Sequence, residues 1–142
     1  MKKILIIFVL LFAFTSCQKD SKGYVINGKI EGVPDGKKVT LLAYDKGKAI
    51  NIDSTTVKSE KFKLKGSIAN PDIHVLTVED LAGTLQFILV NKKLNITVYK
   101  DSLGLSLIEG SKENDVAQEY RKIASSFRIQ NDSARAKVQQ AR

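Results

Sequence analysis

From Tyr24 onward apolar and polar residues alternate with a period of two, which predicts strands with one buried face. Tyr24, Ile26, Gly28 and Ile30 share one face of a first strand. Gly32-Val33-Pro34-Asp35-Gly36 predicts a turn: Pro presets φ, Asp bonds its own backbone and Gly accepts positive φ. Val39, Leu41 and Ala43 alternate with Thr40, Leu42 and Tyr44 in a second strand, and Asp45-Lys46-Gly47-Lys48 turns the chain again. Residues 49–57 are rich in β-branched types and predict a third strand. In a fourth, Phe62, Leu64 and Ile68 alternate with Lys61, Lys63 and Lys65, so the apolar set is expected inside and the lysines outside. Lysines in such a strand also guard a sheet edge. Ile73–Val78, Leu85–Val90 and Leu94–Tyr99 predict further strands, and Leu105–Ile108 a last short one. About seven to eight short strands joined by turn chemistry predict a mainly β domain over residues 24–110, an antiparallel β-sandwich or barrel. The pattern leaves both architectures open.

The period changes at Ser111, which can cap a helix whose first turn carries Glu113 and Asp115. Val116, Tyr120, Ile123 and Phe127 recur at helical spacing, and the first half of this stripe is expected to pack on the β-domain. Beyond Phe127 the stripe thins to Ala134, Val138 and Ala141. Residues 111–142 are therefore expected to be a helical extension, or a linker to a further domain.

Before the β pattern, Met1-Lys2-Lys3 precedes an unbroken apolar run from Ile4 to Phe14. A spanning helix needs about 20 apolar residues, so the run is too short to cross a bilayer and suits the core of a secretory signal. Thr15-Ser16 and the single cysteine, Cys17, follow. A lone cysteine in an exported chain has no disulfide partner in that chain, and its place directly after the apolar run points to modification. Phe14-Thr15-Ser16-Cys17 resembles a lipobox, with Phe in place of the usual Leu. That resemblance implies a signal peptide over residues 1–16 and a Cys17 that carries acyl chains and attaches the protein to a membrane. Residues 17–23 then form the lipidated cysteine and a polar tether.

Composition narrows the picture modestly. The 142 residues are 43% hydrophobic and 27% charged, as in an ordinary globular domain. The formal charge is +8, and Lys2 and Lys3 would leave with the signal peptide. A basic balance can favour anionic lipid or polysaccharide, but the lysines are spread over many segments and a solvated surface is the expectation. An exported chain is not expected to bind nucleic acid. There is no C-x-x-C, no His/Cys cluster and no Gly-rich phosphate loop, so no metal, cofactor or catalytic constellation is expected. His74 is the only histidine and is expected to be an ordinary strand residue. Asp53-Ser54 lacks the base that would activate a serine nucleophile.

Several strands together carry a family resemblance. Tyr24-Val25-Ile26-Asn27-Gly28-Lys29-Ile30, Ile52-Asp53-Ser54-Thr55-Thr56-Val57, Lys61-Phe62-Lys63-Leu64-Lys65-Gly66 and Leu85-Gln86-Phe87-Ile88-Leu89 are joined by Leu94-Asn95-Ile96-Thr97-Val98. Ile108-Glu109-Gly110-Ser111 then leads into an Asn-containing helix start. Together they resemble the N-terminal β-rich domain of unknown function in Bacteroidota lipoproteins, commonly placed ahead of a thioredoxin-like domain. Two turns depart from the family: Ser59-Glu60 stands where a Gly is usual, and Asn91-Lys92-Lys93 where an acidic residue and Gly are.

The resemblance implies a non-catalytic accessory module of an envelope thiol-disulfide system, with a following thioredoxin-like domain or envelope protein as its partner. Redox chemistry would reside in that partner, because disulfide exchange needs an attacking thiolate and a resolving thiol. The alternative is a free-standing binding lipoprotein that captures a glycan, peptide or protein. Gln18-Lys19-Asp20 is similar to the surface-export signal of such lipoproteins, which implies outer-membrane residence on either face. Asp53-Ser54-Thr55, Asp101-Ser102-Leu103 and Asp132-Ser133-Ala134 resemble the O-glycosylation acceptor of the same group, making Ser54, Ser102 and Ser133 candidate modification sites.

Overall fold

The computed structural model describes residues 22–140, and beyond Phe127 it describes a side chain only at Asn131. The expected signal peptide over residues 1–16, Cys17 and the expected tether through Ser21 lie outside the described residues. Eight strands run β1 Tyr24–Ile30, β2 Lys38–Asp45, β3 Lys48–Thr56, β4 Lys61–Gly66, β5 Asp72–Val78, β6 Leu85–Leu89, β7 Lys93–Val98 and β8 Leu107–Glu109. A single 3₁₀ turn, Leu103–Leu105, precedes β8, and helix α1 spans Lys112–Gln140. Sheet I has the order β4-β1-β7-β8 and sheet II the order β3-β2-β5-β6. The two open sheets form a β-sandwich with edge strands β4 and β8 in one sheet and β3 and β6 in the other, not a barrel.

The core lies where the alternating faces meet. Tyr24, Ile26, Ile30, Phe62, Leu64, Leu94, Ile96 and Val98 enter it from sheet I, and Val39, Leu41, Leu76, Leu85, Phe87 and Leu89 from sheet II. Lys61, Lys63 and Lys65 are exposed, as the alternation in β4 predicts. Ile68 falls beyond the end of β4 and is only half-buried, because the period of two stops at Gly66. Leu105 belongs to the 3₁₀ turn and is exposed, so the last strand starts two residues later than its apolar pattern suggests. Most pairs are antiparallel, but β1 and β7 run parallel, with Ile26 opposite Leu94. The chain leaves sheet I after β4, forms the β5–β6 hairpin in sheet II, and re-enters beside β1 in the same direction.

At two glycines of sheet I an aromatic ring occupies the space a side chain would need. The Phe62 ring covers Gly28, its cross-strand partner, and Tyr24 covers Gly66 in the same way. On the β3/β4 side, a two-residue turn at Ser59-Glu60 joins the sheets, with Lys58 and Lys61 exchanging backbone bonds of 2.8 and 3.1 Å. Both turn residues have positive φ, 49° and 59°. Side-chain bonds hold them there in place of the usual glycine. Ser59 N–H donates to Asp35 Oδ1 at 2.7 Å, and Glu60 Oε1 accepts from Gly32 N–H at 3.0 Å.

The opposite side is closed by amide side chains acting as substitute strands. Ser111 Oγ accepts the Asn114 N–H at 3.2 Å and caps α1. The Asn114 side chain, fully buried, turns to the free edge of β6: its Oδ1 accepts Ile88 N–H at 2.9 Å and its Nδ2 donates to Ile88 O at 2.8 Å. One helical turn later Gln118 does the same for β8, accepting Ile108 N–H at 2.9 Å and donating to Ile108 O at 2.7 Å. The helix start thus bridges the edges of both sheets. Asn91 uses the same geometry to hold the loop at Ile68, with bonds of 3.0 and 2.7 Å.

This docking mode reverses one expectation. Val116, Tyr120, Ile123 and Phe127 do not pack on the β-domain; they are 67, 72, 49 and 60% exposed. Asn114, Ala117, Gln118 and Arg121 face the domain instead, and at 3.6 residues per turn they lie on roughly the opposite side of the helix. Hydrogen bonds to sheet edges, not apolar area, set the rotation of α1.

Candidate functional site

Sheet II carries apolar residues on both faces. The register places Leu42 beside Val75 and Ile73 beside Ile88 on its outer face. Val75 is 1% exposed while Ile73 is 58% exposed, so the patch is dense at its centre and open at its border. By strand alternation Tyr44, also exposed, extends it along β2.

Beside this patch, α1 stands off from the β6 edge and leaves a groove of about 630 Å³ lined by Ile73, Gln86, Phe87, Ile88, Tyr120 and Arg121, among others. Asn114 and Gln118 hold α1 to the edges of β6 and β8. Arg121 spans it from helix to sheet, its Nη1 donating to Gln86 O at 3.4 Å and Gly104 O at 3.3 Å. The lining offers apolar contact, one guanidinium, the hydroxyls of Thr84 and Tyr120 and the remaining polar groups of the β6 edge. It includes no carboxylate, imidazole or thiol.

The model of a domain of unknown function (DUF4369) matches residues 24–117. The chain belongs to the DUF4369 family. The match runs through both sheets and into the first turn of α1, so Ser111 and the Asn114 clamp fall within the DUF4369 domain, while Tyr120 and Arg121 lie just beyond it. No curated protein and no solved structure matches the chain.

The remaining candidate residues are scattered over the DUF4369 domain. Ser54 is exposed on β3, where its N–H donates to Asp53 Oδ1 at 2.7 Å. Asp53 also faces Tyr24, whose hydroxyl is held above the ordinary tyrosine range by burial first and the Asp53 charge second. Ser102 is exposed at the 3₁₀ turn; its N–H donates to Tyr99 O and its carbonyl accepts from Leu105 N–H, both at 2.9 Å. Ser133 lies within α1 and its side chain is outside the described residues. His74 is buried on β5, with Nδ1 3.1 Å from Asp72 O. Among the described residues, no group of three or more His, Cys, Asp or Glu could hold a metal, and no helix is long and apolar enough to cross a membrane.

The groove was missed in the sequence, although it left a signal. β4 alternates cleanly, whereas Ile73-His74-Val75-Leu76-Thr77-Val78 and Phe87-Ile88-Leu89 carry apolar residues at successive positions. Strands apolar on both faces imply a second covered face. Arg121 left no comparable signal, because one arginine in a charged helix looks like a solvated residue.

Proposed function

We propose that this protein is a membrane-anchored envelope lipoprotein, held to the outer membrane by acyl chains on Cys17, and that its DUF4369 domain is a non-catalytic accessory module of a thiol-disulfide system. The observation that carries the reading is the exposed apolar surface of Ile73 and Tyr120 at the groove, beside half-buried Ile88. Contiguous exposed apolar area of this kind belongs to interaction sites. The partner suggested by the family resemblance is a thioredoxin-like domain, either following α1 or on another envelope protein. Its C-x-x-C would perform disulfide exchange, while the lipidated Cys17 would have no thiol to contribute. The module would hold that domain at a set height above the membrane.

Arg121 favours a second reading. A guanidinium in an apolar groove beside a sheet edge suits a carboxylate-bearing peptide captured by a free-standing binding lipoprotein. A photoreactive phenylalanine analogue at Ile73, and separately at Tyr120, distinguishes the two in intact cells. The first reading expects a major adduct with a C-x-x-C domain, identified by mass spectrometry. Adducts confined to short peptides favour the second reading, and no adduct from either position contradicts both.

A further inference from the structure

We propose that the outer face of sheet I is a docking surface for an anionic phospholipid bilayer. Strand pairing gathers lysines that the chain disperses. Lys65, Val25 and Lys93 form one row across β4, β1 and β7; Lys63, Asn27 and Asn95 form the next; Lys61, Lys29 and Thr97 form the third. A bond of 3.3 Å from Asn27 to Asn95 runs along this same surface. All five lysines are exposed, within about 14 Å along the strands and 10 Å across them. Carboxylates border the face: Glu31, paired with Lys29 at 2.5 Å, Glu60, whose charge also acts on Lys29, Asp101, which lines a groove with Lys29 and Thr97, and Glu109 on β8.

Lys29 and Lys61 are directly opposite on antiparallel strands, with Glu31 and Glu60 offsetting the charge of Lys29. Edge protection accounts for lysines on β4, an edge strand, but not for Lys29 and Lys93 on interior strands. A cationic face matches a surface of lipid phosphates, each lysine adding to the attraction within a Debye length. The inference rests on Cys17 as the anchor in one respect. Cys17 to Tyr24 spans at most about 25 Å, and Tyr24 enters sheet I beside the Lys65 and Lys93 row, so the tether would keep this face close to the bilayer.

Amine-acylation footprinting tests the proposal. The mature lipidated protein is reconstituted in phosphatidylcholine vesicles, or in vesicles containing phosphatidylglycerol. With anionic lipid, Lys61, Lys63, Lys65 and Lys93 should react about tenfold more slowly, while Lys46 and Lys48 at the β2–β3 turn should not change. The difference should vanish in 1 M salt, where the Debye length is about 3 Å, and in a Lys61→Glu/Lys65→Glu variant. Equal reactivity on both vesicles, or equal slowing at Lys46 and Lys48, would overturn it. So would protection by soluble heparin without protection by anionic vesicles. Failure to sediment with neutral vesicles is the separate sign of a missing acyl anchor, and the same footprint with protein added from solution then still decides on the lysine face.

Discussion

Replacing Asn114 by alanine should destabilise the domain. The substitution leaves Ile88 N–H and Ile88 O without partners on the β6 edge. An unsatisfied buried group costs about 1–3 kcal/mol. Ile88 is half-buried, so water relieves part of this and the lower end applies to each group. Alanine is the better helix former by roughly 0.5 kcal/mol. The expected net loss is about 1.5 kcal/mol, read from urea unfolding followed by circular dichroism with an unchanged m-value.

Asn114→Asp separates hydrogen bonding from space filling. The aspartate keeps the shape and the acceptor, but its ionised form cannot donate to Ile88 O or Ser111 Oγ. Burial against a carbonyl raises its folded-state pKa above the unfolded value of about 3.9. The folded state then holds the proton more tightly, so the variant should approach wild-type stability at acid pH and lose ground as pH rises through that window. An alanine variant within about 0.5 kcal/mol of wild type would refute the clamp. So would an aspartate variant parallel to wild type at every pH.

Phe62→Ala should cost about 3–5 kcal/mol by emptying a packed position, measured by the same unfolding assay. Gly28→Ala should cost about 1–3 kcal/mol because its methyl overlaps the Phe62 ring, and the double variant should lose less than the sum of the two. Glu113 is held below the ordinary carboxylate value of 4.5, first by its own backbone N–H at the helix start, then by Lys92 and Ser111. Its contribution is therefore present above that value and lost as pH falls through the lowered one, so Glu113→Gln should differ from wild type at pH 7 and converge with it in acid.

Strands and turns were legible because each is written locally, in the alternation of β4 or the Pro-Asp-Gly chemistry of residues 34–36. The clamps were not, because Asn114 and Gln118 act on strands 26 and 10 residues away and look like ordinary polar residues in a helix. The same distance effect explains the stripe. Val116, Tyr120 and Ile123 have the spacing of a buried face, but spacing does not reveal which side of a helix wins its contacts when hydrogen bonds, not apolar area, dock it. The lysines of sheet I were hidden for a further reason. Lys29, Lys61 and Lys93 meet only after β4 and β7 pair with β1 from opposite sides, one antiparallel and one parallel.

The claim that this is a lipid-anchored envelope module is tested most directly by the intact mass and N-terminal peptide of the protein purified from membranes. The account predicts a chain that begins at Cys17, with acyl chains on that residue and no free thiol. A chain that retains Met1, or a mature chain with an unmodified Cys17, would contradict it.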